Sequence, residues 1–133
     1  MALVVPLASS DRLLGWLVNT QNSNNLKIKL FTNAHTVASG TTESDLTEAT
    51  YSGYASLTLT RGSFTIAQSG GKSVATYADK VFGPASSGSQ VIKGYYVTDS
   101  ADNLLWAENF SDQTIDTSTT LTIVPKVSLD SEA

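Results

Sequence analysis

From Leu26 onward the chain alternates apolar and polar residues with a period of two, and this alternation constrains the fold more than any other feature. In Leu26-Lys27-Ile28-Lys29-Leu30 the apolar side chains share one face of an extended strand and the lysines the other. That pattern predicts one buried face and one wet face. It returns at residues 54–60, where Ala55, Leu57 and Leu59 align, and at residues 63–68, where Phe64 and Ile66 point inward. Another extended run begins at Val74 and reaches Phe82, stopping at Gly83-Pro84. The densest run of β-branched and aromatic residues is Gln90 to Thr98, which contains the adjacent pair Tyr95 and Tyr96. Adjacent strand residues face opposite sides, so one of the pair is expected to be exposed or covered by a partner.

Turn signals separate these runs. Arg61-Gly62, Gly70-Gly71 and residues 99–103 all read as turns, the last returning the chain through residues 104–110 as a hairpin centred on Trp106. The final run, residues 119–129, carries Pro125, which cannot donate to a ladder and so predicts an edge position or a bulge there. Residues 32–45 read as a long polar surface loop, of a length that predicts contacts or short structure of its own. About seven strands separated by turns predict a mainly β fold, an antiparallel β-sandwich or jelly-roll-like single domain over residues 1–133. Residues 1–8 read as an extended apolar arm. Residues 9–20 read as one short helix, with Ser9 or Ser10 as its cap and Leu13, Leu14, Trp16, Leu17 and Val18 mainly on one face.

Charged residues are only 15% of the chain, the net charge is −4 and the eight basic side chains form no run. A nucleic-acid binder needs a basic face to displace phosphate counterions, so no direct nucleic-acid contact is expected. There is no cysteine, which excludes disulfides and thiolate metal sites. No apolar stretch approaches the length that spans a bilayer, and the N-terminus lacks the basic flank of a signal peptide; the sequence reads as a soluble chain with no membrane partner.

A search for chemistry finds scattered groups. His35 is the lone histidine, in a polar segment, and no serine lies in a Gly-x-Ser-x-Gly elbow. Glu43, Asp45 and Glu48 form one loose carboxylate group, and Asp99 and Asp102 another. The second lacks the spacing of a calcium loop, and aspartates favour turns by bonding their own backbone. Gly70-Gly71-Lys72-Ser73 lacks the upstream glycine of a phosphate loop. The Asn109-Phe110-Ser111 match to a glycosylation acceptor is read as accidental. The reading is therefore no catalytic residue, no cofactor and no metal.

Several segments together resemble a family of small tailed-bacteriophage virion proteins, many of them without an assigned function. They are the opening residues 1–6, residues 26–33, residues 46–50 leading to Gly53-Tyr54, residues 94–99, residues 104–108 with Phe110, and residues 121–127. The resemblance implies a virion structural protein made in the host cytoplasm, and within that class a capsid decoration (cement) protein. It also implies the partners: further copies of the same chain as a homotrimer, and the major capsid protein or other virion proteins. A tail, baseplate or fibre component, including one that holds glycans, is the alternative. The expected interface residues are Leu3, Val4, Val5 and Pro6 in the arm, with Tyr95 and Tyr96. Leu3, Val4 and Val5 have a second reading, completion of the protein's own sheet.

Overall fold

The strands assemble in the order β1 (Leu26–Phe31), β2 (Leu57–Leu59), β3 (Thr65–Ser69), β4 (Lys72–Thr76), β5 (Lys80–Phe82), β6 (Gln90–Thr98), β7 (Leu104–Ile115), β8 (Leu121–Ile123) and β9 (Lys126–Asp130). This computed structural model describes residues 25–69 and 72–130. The expected arm over 1–8, the helix over 9–20 and the Gly70-Gly71 turn lie outside the described residues. Helical structure among the described residues is confined to a 3-10 turn at Glu43–Asp45, so the protein is mainly β.

All named pairings are antiparallel. One sheet runs β2-β1-β6-β7, a second β3-β4-β9, and a two-stranded ladder joins β5 to β8. The second sheet and the ladder are one pairing interrupted once. Thr76 faces Lys126 on one side of the interruption and Lys80 faces Ile123 on the other. Residues 77–79 thus oppose residues 124–125, one extra residue on the first strand, which is the signature of a bulge. The Tyr77 N–H bonds the Pro125 carbonyl at 2.9 Å and holds the two halves together. Pro125 contributes the acceptor it has and is not asked for the donor it lacks. The uninterrupted runs expected over 74–82 and 119–129 are each divided at this point.

Side chains from both sheets meet in one cluster. Leu26, Ile28 and Leu30 of β1, Ile92, Tyr95 and Val97 of β6, and Trp106 pack with Ala75, Phe82, Ile123 and Val127 from the other strands. Each fully buried aliphatic or aromatic side chain contributes roughly 1.5–3 kcal/mol by leaving water. The hairpin from β6 to β7 forms where expected, but β7 continues to Ile115, well past Phe110. Its turn is tied by the Asp99 carboxylate, which accepts the N–H groups of Ala101 and Asn103, each at 2.9 Å. Asp102 sits there with φ 63, a left-handed conformation that short polar side chains tolerate. Within β6 the register shifts between Ile92 and Gly94. A Cβ on Gly94 would meet the Phe31 ring and the Glu108 carbonyl, so that position requires glycine.

The expectation of a wet second face on β1 is corrected. Phe31 is fully buried, and Lys29 is only 7% exposed. Lys29 lies over the Tyr96 ring and bonds Asp102. Phe31 lies beneath the segment that follows β1, which folds back over the sheet: Phe31 bridges Glu48, the Thr32 N–H bonds the Thr47 carbonyl, and the Ala49 N–H bonds the Leu30 carbonyl. Leu46 and Val37 of this segment join Phe31, Tyr96, Ala107 and Leu104 in a second, smaller apolar cluster.

Candidate functional site: a cleft between two strand edges

β7 ends the four-stranded sheet and β8 ends its ladder. Between them lies an open cleft of about 410 Å³. Tyr95 and Ile123, both buried, form its floor, Phe110 and Leu121 line it half-buried, and Val124 at the rim is 48% exposed. Polar groups alternate with these: Glu108, Ser111 and Gln113 on β7 and Thr122 on β8. The cleft runs along strand edges, so side chains from both faces border it: Phe110 and Ser111 are adjacent on β7, and residues 121–124 are consecutive in the chain. Tyr95 is locked below the cleft. Its hydroxyl reaches the Lys126 carbonyl at 3.4 Å, and burial, followed by the nearby Glu108 carboxylate, pushes its pKa up to about 12. It is therefore a neutral hydroxyl at physiological pH rather than a nucleophile or base.

The two tyrosines expected at an interface are separated by the pleat as anticipated, yet neither reaches the surface. Tyr95 is 3% exposed in the main core and Tyr96 is 0% exposed in the second cluster. The chain's own 32–48 segment provides the cover that the sequence assigned to a partner. Burial raises the Tyr96 pKa, and the charges of Glu48, Glu43 and Asp102 add to the rise. Its hydroxyl has no hydrogen-bond partner among the described residues. The other expected interface residues, Leu3, Val4, Val5 and Pro6, lie outside the described residues.

Two amide side chains staple the covering segment, and a third, Gln90, holds the chain just beyond it. Asn109 donates from Nδ2 to the His35 carbonyl at 2.7 Å and accepts the Val37 N–H on Oδ1 at 2.8 Å. Asn33 donates to the Asp45 carbonyl and accepts from Thr47 N–H. Gln90 accepts from the N–H groups of Thr50 and Tyr51 on one oxygen. Asn109, part of the glycosylation-acceptor match, is thus engaged at both ends. Sequence reasoning passed over these amides because their partners are up to 74 residues away in the chain.

The carboxylates serve local structure. Asp45 accepts the Thr42 N–H at 2.9 Å, a bond that holds its carboxyl below the ordinary value. Asp116 is lowered in the same way by the Ser118 N–H. Glu48 accepts the Tyr54 hydroxyl at 2.7 Å, while Tyr54 in turn accepts the Leu30 N–H. Asp102 receives the Lys29 ammonium at 2.9 Å and lies 3.7 Å from that of Lys27, which lowers its pKa. His35 bonds Thr41 Oγ1 at 2.9 Å within the loop. Among the described residues no three histidine, aspartate or glutamate side chains gather as a metal site would need, and no helix is long and apolar enough to cross a membrane. No family model, curated protein or solved structure matches the chain.

Proposed function

We propose that the protein is a virion structural component, a capsid decoration protein that binds by surface burial rather than by chemistry. The reading combines the sequence resemblance with one observation that carries it: the cleft is flanked by the edges of β7 and β8, neither of which has a further strand partner among the described residues. An open edge is a ready template for another chain and is normally covered by one. We read the two sheets around a shared core as an antiparallel sandwich of jelly-roll-like form. Copies of the chain, arranged as a homotrimer, would bury these edges against each other and against the capsid protein, stabilising the shell by mass action. Such a protein needs no catalytic group, cofactor or nucleic-acid contact.

A second reading, a tail or fibre module holding a glycan, draws on Glu108, Ser111, Gln113 and Thr122 beside Phe110, a polar-and-aromatic lining suited to a sugar. Particle reconstruction separates the two. Decoration predicts density at many symmetry-equivalent capsid positions, whereas the fibre reading predicts a few copies at the tail. Absence of the chain from purified particles would overturn both.

A further inference from the structure

The lining of the cleft between β7 and β8 includes one charged side chain, Glu108, and no basic one. The ion pairs elsewhere join Asp102 to Lys27 and Lys29, and Asp112 to Lys93. Glu108 is half-buried and has no such cation among the described residues. The Tyr95 hydroxyl beneath it is neutral and leaves the negative charge in place. A carboxylate drawn partly out of water gains from a cation brought to it, because attraction strengthens as the effective dielectric falls. Apolar surface adjoins it: Phe110 and Leu121 are half-buried, and Ile123 is buried. A long side chain with an aliphatic stem and a cationic head suits both, the stem on the apolar surface and the head at the carboxylate. An aromatic ring adds a cation–π partner.

The pairing of β7 with β6 breaks beside this site. Ile92 faces Gln113 and Gly94 faces Asn109, so residues 110–112 oppose Lys93 alone. Such a bulge interrupts the regular edge that a docking chain reads through its backbone. Side-chain recognition is left to fix where that chain sits. At about 410 Å³ the cleft is near the lower end of the roughly 300–1,000 Å³ usual for a bound group, enough for one large side chain. We infer that the cleft receives an arginine or lysine side chain from a partner protein, with Glu108 as its counter-ion. The net charge of −4 favours a basic partner over a second copy of this acidic chain. The inference rests on the reading of the cleft as a protein interface, and it names what the partner must present there.

The probe is the peptide acetyl-Gly-Ser-Arg-Ser-Gly-amide, titrated into the isotopically labelled full chain and followed by amide NMR shifts. It should bind with a dissociation constant on the order of millimolar and move the amides of residues 108–113 and 121–124. Replacing its arginine by citrulline, which keeps the shape but loses the charge, should weaken binding by about fivefold or more. That comparison uses the unaltered protein, so it does not depend on a variant folding. Glu108→Gln should cost a similar factor, whereas Glu43→Gln, which removes an equal charge outside the cleft, should leave binding unchanged. Equal binding of the citrulline peptide, no effect of Glu108→Gln, or shifts confined to other residues would each overturn the inference. Acetyl-arginine amide should bind more weakly than the peptide; equal affinity would mark a site for small cations and overturn the protein partner. Tighter binding of N-acetylglucosamine at the same amides would give the cleft to a glycan instead. Capsid density for a chain whose cleft ignores charge would sink this inference alone. Charge-dependent binding by a chain absent from particles would sink the virion reading alone.

Discussion

The two faces of the four-stranded sheet are both buried, but by different means. One face meets the strands of the second sheet through Ile28, Tyr95, Val97 and Trp106, where nearly every contact is apolar and sheet-borne. The other is covered by a polar connecting segment whose Leu46 and Val37 close over Phe31, Tyr96, Ala107 and Leu104. On the first face burial itself stabilises, because transfer from water is non-directional and scales with area. On the second the apolar area is small, so directional bonds from Asn33 and Asn109 hold the cover in place. A charge is buried on this face as well: Lys29 keeps its ammonium on the half-exposed Asp102.

That contrast can be broken most severely on the first face. Trp106 is 1% exposed at the centre of the main core. Trp106→Ala should cost about 3–5 kcal/mol of unfolding free energy in denaturant titration, a loss affecting the whole domain. On the second face Asn109→Ala should cost about 1–2 kcal/mol, because the Val37 N–H and the His35 carbonyl lose their partner together. Its mark should be local: amides of residues 32–48 exchange faster while those of β1 and β6 stay protected. An equal loss of protection in both regions would show that the faces unfold as one unit.

Asp102→Asn tests the charge. The lowered pKa of Asp102, caused first by the hydrogen bond from Lys29, means that the folded state favours the carboxylate. Its contribution is complete above the ordinary value of 3.8 and is lost as pH falls through the lower folded-state value. The variant should therefore be less stable at pH 7 by about 1 kcal/mol, a figure discounted for the half-exposed carboxylate, and its stability should fall less steeply below about pH 4. Asp45 and Asp116, whose pKa values are also lowered, retain part of the slope. The smallest effect belongs to Tyr96→Phe. Its hydroxyl is buried without a partner among the described residues, so removal should change stability by less than about 0.5 kcal/mol or raise it slightly. A clear loss would reveal a partner for that oxygen.

Much of the first face was legible in the chain. Alternation at Leu26, Ile28 and Leu30 named its inward residues, and the turn at residues 99–103 placed the β6–β7 hairpin. Pro125 announced the interruption at residues 124–125, although the extra residue facing it at 77–79 became visible only through the pairing register. The candidate cleft was not legible, because it is bounded by β7 and β8, whose side-by-side placement no local pattern encodes.

The adjacent tyrosines show where that boundary falls. Their position in one strand was enough to send Tyr95 and Tyr96 to opposite faces, since side-chain direction follows from backbone geometry within a few residues. What lies above each face depends on contacts between distant parts of the chain. Tertiary structure alone therefore decided that Tyr96 is covered by this chain's own loop, through Asn109 and Leu46, rather than left for another molecule.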